Sequence, residues 1–292
     1  SSDLLIKQKH LGSDMLPLYI DEMSSYLKTK NVDLLLKEEV KKFEVKNNKI
    51  TKIITDKNEI MVENVIACPG RVGSKWFYKE CKRHGINVEF QPVEIGVRVE
   101  VPNEILDEIT EIIYDPTFFI YGDTYDDRVR TFCTNKGGFV TKEHYGDFIC
   151  VNGHAEKKKK SKNTNFAFLS KVTLTEPVND TFKYGKSVGK LATVIGGGKP
   201  ILQRFIDLKK GRRSSWGRIN KSHVDPTFKD VIPGDIAMAM PTRIVTNIVE
   251  GLEKLSRVIP GIASNSTLLY APEIKFFSTE IENECLKTPL DN

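Results

Sequence analysis

The sequence has few cysteines, and they are scattered: Cys68, Cys81, Cys133, Cys150 and Cys285, an odd number with no C-x-x-C pair. That excludes a disulfide framework and a dithiol for disulfide exchange, and it suits reduced thiols in a cytosolic protein. The histidines, His10, His84, His144, His154 and His223, include no i,i+4 pair, so neither they nor the cysteines give metal-ligand spacing, and no metal is expected. H-E-x-x-H and G-x-S-x-G are both missing. No apolar run reaches about 18 residues, which excludes a membrane-spanning helix of ordinary length, and no signal peptide is evident. The net charge of +5 comes with many Lys and Asn residues but without a dense Arg and aromatic pattern, so nucleic-acid binding is not indicated.

One more absence raises a question. Residues 65–73 read VIACPGRVG: a β-type run, Val65-Ile66-Ala67, stops at Cys68-Pro69-Gly70, and a helix-like stretch with Trp76 and Phe77 follows. A strand ending in a small-residue turn is a usual seat for a nucleotide, yet no G-x-G-x-x-G turn precedes it. The ends, Ser-Ser-Asp and CLKTPLDN, read as cuts through a longer protein.

What is present suits a chain of 292 residues, which can bury roughly three quarters of its unfolded surface. Ser13 or Asp14 is expected to cap a helix running to about Lys30, with an apolar stripe of Leu16, Tyr19, Ile20, Met23, Tyr26 and Leu27. VDLLL, VKKFEVK, ITKIITD and EIMVENVIA read as short strands broken by Asn47-Asn48 and Asp56-Lys57-Asn58, a meander. The strand at 65–67 is expected to be buried on both faces, and the next helix to end with Gly85 as its C′ residue.

The pattern changes at Gln91-Pro92. EIGVRVEV alternates Ile95, Val97, Val99 and Val101 with Glu94, Arg98 and Glu100, which predicts a half-buried antiparallel strand. Strand-like runs follow at 118–121, 129–133, 147–151 and 166–174. Helices are expected near 181–195, 200–209 and 241–257, with Pro200 at an N1 position, and TLLYA and EIKFFST as closing strands. The expected class is α/β and α+β: a β-meander from one domain carrying a large inserted β/α domain.

VIGGGKPILQR (194–204) lacks the Ser/Thr of a phosphate loop and follows a helix-like segment, so helix punctuation is the better account. The four-lysine run in HAEKKKKSKNTNFA reads as a solvated loop, a candidate mobile flap. Asn152-Gly153-His154 and Asn163-Thr164-Asn165 flank it with amides and an imidazole; turn formation is the alternative role for these residues. In GRRSS, Arg212 and Arg213 could bind a carboxylate or phosphate bidentately, or merely complement a helix C-terminus.

KQKHLGSD, VIACPGRVGSKW, PVEIGVRVEVP, TFCTNKGGFV, VNGH…NTNFA, GRRSS, PGDIAMAMP and PGIA…TLLYAPEIKFFS occur in this order. The chain resembles, over nearly its whole length, bacterial FAD-dependent dehydrogenases of the glutathione-reductase-like, two-part FAD-binding flavoproteins. The resemblance implies that residues 1–91 belong to a partial FAD-binding domain, 92–271 to the inserted substrate domain and 272–292 to a return strand. It places the G-x-G-x-x-G turn upstream and a Gly-Asp motif downstream of this chain. It implies FAD in the parent protein, with NAD or NADP as a candidate electron donor and a small molecule as substrate. This piece alone is expected to be free of FAD, inactive, and prone to self-association through an incomplete sheet edge.

By that resemblance the cofactor side comprises Val40, Cys68, Pro69, Gly70 and Arg71. Asn135, Asn152, His154, Asn163, Asn165 and Arg213 are the substrate-side candidates. No catalytic acid or base stands out. The competing reading is a non-catalytic binding or interaction module.

Overall fold

We describe a computed structural model of the chain, covering residues 10–175, 178–277, 280–283 and 290. In chain order the helices are α1 (Leu16–Thr29), α2 (Gly70–Arg83), α3 (Asp107–Thr110), α4 (Thr181–Ile195), α5 (Phe205–Lys209), α6 (Trp216–Ile219) and α7 (Thr242–Leu255). The strands are β1 (Val40–Lys46), β2 (Lys49–Thr55), β3 (Glu59–Met61), β4 (Val88–Glu89), β5 (Val93–Pro102), β6 (Phe119–Tyr121), β7 (Arg128–Asn135), β8 (Phe139–His144), β9 (Ile149–His154), β10 (Asn163–Val172), β11 (Ile201–Arg204), β12 (Ile232–Pro233), β13 (Leu268–Lys275) and β14 (Glu280–Ile281). The fold is mixed, α+β in character, and it divides into two compact units.

The larger unit takes the described residues within 1–21, 93–173 and 183–275. Its frame is a seven-stranded sheet in the order β12-β11-β13-β5-β10-β7-β6, with β11 and β12 parallel and every other pair antiparallel. On one face, Val97 and Val99 stand opposite Phe168 and Phe166. Helix α7 packs there through a buried stripe of Ile244, Ile248, Leu252 and Leu255. A Cβ at Gly251 would lie 2.8 Å from the Phe168 ring, so a residue without a side chain lets the helix come this close. On the other face the β8–β9 hairpin closes, and Val140 and Val151 join Leu202, Leu268 and Tyr270 in a core.

Strand β5 corrects the half-buried expectation. It lies in the middle of the sheet, and Glu94, Arg98 and Glu100 are as buried as the valines. Alternation correctly separated the two faces. It could not show that the charged face meets partners from strands far away in the sequence.

Other features of the larger unit and of α1 depart from or add to the sequence pattern. Residues 200–209 do not form one helix: Ile201–Arg204 is a strand, and Pro200 precedes it, because Ile201 and Leu202 find ladder partners in β13. TLLYA and EIKFFST are not two strands but one, β13, running through Pro272. The stripe on α1 stays largely exposed, with Leu16, Ile20, Met23 and Tyr26 each at least 49% accessible. Asp14 does not cap its own helix; its carboxylate accepts the backbone N–H groups of Lys157 and Lys158 instead.

The smaller unit takes the described residues within 22–92, 174–182 and 276–292. The meander is present as β1-β2-β3. Helix α2 covers it through Trp76, Phe77 and Cys81 against Phe43, Ile50 and Ile86, and the Trp76 indole donates to the Lys41 carbonyl at 2.8 Å. Gly85, at φ +73°, ends α2 as expected. VDLLL forms no strand; left-handed Asn31 and Lys37 bracket it, and Leu36 is exposed. Nor do residues 65–67: no described strand pairs with them, and Ile66 is 93% exposed. Among the described residues no helix is long and apolar enough to cross a membrane.

Candidate functional site

The polar face of β5 holds the most elaborate cluster in the larger unit. Arg98, fully buried, donates from Nε and Nη2 to the two Glu273 oxygens, both at 2.7 Å. A register shift in β13 between Tyr270 and Glu273 makes this pairing possible. Tyr270 stands opposite Arg98 and Glu273 opposite Gly96, so the extra residue turns Glu273 onto the Arg98 face.

A second irregularity lies across the sheet. Between β10 and β7 the register slips after Asn165, and Cys133 sits in the slip at φ +52°. The left-handed region is uncommon for a residue with a side chain. Here it aims the Cys133 carbonyl at the cluster, where it accepts Arg98 Nη1 at 3.2 Å and Asn135 Nδ2 at 2.8 Å. Asn135 Nδ2 also lies 3.6 Å from the Cys133 Sγ and 3.4 Å from Asn165 Oδ1, and that oxygen accepts Arg98 Nη1 at 2.8 Å. Asn165 Nδ2 is buried without a protein partner. Gly153 of the hairpin seals the cluster: a Cβ there would stand 2.1 Å from Arg98 Nη1 and 2.3 Å from Asn165 Oδ1.

The structure thus joins Asn135 to Asn165 but separates the other substrate-side candidates. Asn152 turns to Glu143 at 3.4 Å and to the Gly153 N–H, and His154 is exposed at the end of β9. Asn163 donates to the Asp225 carbonyl at 2.8 Å and lines a cavity of about 380 Å³ with Lys162, His223, Asp225 and Thr227. Neither Asn152, His154 nor Asn165 lines that cavity. Behind it Glu100 is buried and accepts Thr227 Oγ1 and Tyr270 OH; burial pushes its carboxyl up, against these hydrogen bonds. Arg213 is exposed on the loop after α5.

Sequence reasoning missed Arg98, Glu273, Cys133 and Gly153. Only Arg98 left a signal, as a charge in an otherwise strand-like run; the others depend on two register slips and a hairpin crossing.

In the smaller unit, the Cys68–Arg71 turn is open. Gly70 has φ +62° with nothing within 4 Å of where its Cβ would stand, and Pro69 provides no side-chain cap for α2. Cys68 and Arg71 are exposed, and Val40 starts β1 opposite Thr55. Val65, Ile66 and Ala67 border a cavity of about 500 Å³ with Phe43, Cys81 and His84. Cys68, Cys81, Cys133 and Cys150 are free thiols, and Cys285 lies outside the described residues. Among the described residues no three His, Cys, Asp or Glu side chains form a metal-holding group.

Residues 92–275 match the family model described as FAD-dependent protein, C-terminal domain-like. The chain belongs to this family. No curated protein matches it. For an FAD-dependent protein the open turn is chemically suitable: a Gly at positive φ lets backbone approach a ligand closely, and an uncapped helix start accepts oxygens.

Proposed function

We propose that this chain belongs to an FAD-dependent oxidoreductase, with residues 92–275 as its substrate domain, which keeps β13 whole, and residues 1–91 and 276–292 as part of its flavin-binding domain. The observation that carries the reading is the family match over residues 92–275. The open turn at Gly70 supports it from the smaller unit. Bound FAD would supply the hydride chemistry, and the protein orientation and exclusion of water.

On this reading Cys68, Pro69, Gly70 and Arg71 hold the flavin side, and Val40 offers backbone contacts toward the adenine. The α2 N-terminus favours an oxygen or phosphate acceptor. Asn152, His154 and Asn163 offer polar groups to a small substrate. Asn135 and Asn165 act through position, since Arg98, paired with Glu273, holds Asn165, and the Cys133 carbonyl and Asn165 hold Asn135. NAD or NADP is the candidate reductant.

The test is the visible spectrum of the intact protein that carries this chain. Near-stoichiometric flavin, bleached by NADH or NADPH without oxygen, is the expected result, and Gly70→Val should lower the flavin content. An intact protein that is colourless and takes up no added FAD would overturn the reading in favour of a non-catalytic module.

A further inference from the structure

Asp207 lies on α5 with its side chain wholly buried, and cations crowd it. Arg204 donates from Nε at 2.9 Å and from Nη2 at 3.1 Å. Arg212 Nε and Ser214 Oγ each donate at 2.8 Å, and Arg218 Nη1 stands 4.0 Å away. One negative charge therefore faces three guanidiniums. The next residue in the loop, Arg213, is exposed and forms no ion pair among the described residues; its carbonyl anchors Arg218 Nη1 at 2.6 Å.

The nearby acids do not remove the excess. Asp235 accepts Ala237 N and Gln203 Nε2, and Glu253 pairs with Lys209. Arg212 and Arg218 remain 42% and 40% exposed. Asp207 takes the Nε edge of Arg212 and leaves its two terminal nitrogens; Arg218 spends Nη1 and leaves Nη2 and Nε. The buried carboxylate thus acts as a peg that fixes cationic forks while their remaining donors face water.

We propose that Arg212 and Arg218, held around Asp207, bind the phosphate group of a small molecule together with the exposed Arg213 of the same loop. Guanidinium forks match phosphate oxygens in pairs. Arg204, Arg212, Arg213 and Arg218 against the single Asp207 carboxylate leave three positive charges, of which a phosphate dianion neutralises two and a carboxylate one. The cluster occupies a single short stretch, residues 204–218, and not a long stripe, so its span suits a phosphate group and not a polyanionic strand. The proposal does not depend on the flavin reading.

The test is calorimetric titration of the protein with inorganic phosphate, pyrophosphate, NADPH and NADH at low and high salt. The comparison is the double variant Arg213→Gln/Arg218→Gln, which leaves Arg204 and Arg212 in place around Asp207. Pyrophosphate should bind saturably, weaken with salt, and lose about tenfold or more in affinity in the variant. NADPH binding about tenfold tighter than NADH would assign the phosphate to a 2′-phosphorylated dinucleotide. Equal dinucleotide affinities beside tight pyrophosphate would assign it to another phosphate compound. No saturable binding by any of the four, or a variant of unchanged thermal midpoint and unchanged affinity, overturns the site.

Discussion

The Arg98 guanidinium and the Glu273 carboxylate meet edge to edge inside the sheet, 175 positions apart in sequence, and both are buried. Removing one partner leaves the other charge buried and alone. Glu273→Gln and Arg98→Met are each expected to cost about 3–5 kcal/mol of stability. The double replacement Arg98→Met/Glu273→Gln should cost less than the sum. Urea denaturation of the four proteins measures the coupling; additive losses would show that the pair does not act as a unit.

Asp207 sets an acid limit on stability. Burial works to raise its carboxyl, but hydrogen bonds from Arg204, Ser214 and Arg212 outweigh burial and hold it at about 2, against an ordinary 3.8. A carboxylate depressed in the folded state stabilises above its unfolded pKa and loses that contribution as pH falls through the folded one. The contribution, about 2 kcal/mol for the buried group, should be complete above roughly pH 5 and vanish toward about pH 1, below both pKa values. Comparing the pH dependence of unfolding with that of Asp207→Asn isolates it. Equal slopes in both proteins would remove Asp207 from the acid transition.

Gly153 and Gly146 should respond differently to alanine. At Gly153 the cost is space, since the added carbon meets Arg98 and Asn165. Gly153→Ala should lose about 1–3 kcal/mol or more and open the hairpin to hydrogen exchange. At Gly146 nothing stands within 4 Å, but φ is +73°. Gly146→Ala should cost about 1–2 kcal/mol through its backbone alone, with the protection of β9 unchanged. Equal effects on β9 exchange would count against the seal at Gly153.

The sequence determined the local pieces. Turn residues such as Asn47-Asn48 marked the meander, strict alternation located β5 and its two faces, and Gly85 and Gly196–Gly198 ended their helices, because each depends on neighbours within a few positions. Tertiary structure decided where charge is buried. The seat of Glu273 rests on a one-residue slip in β13, and the backbone of Cys133 on another in β7; a slip reverses faces without altering composition. It also decided that Ile201–Arg204 pairs with β13 and does not join α5, and that Ile66 pairs with no described strand. Ladder partners and buried counter-charges come from distant parts of the chain, and local pattern carries no record of that distance.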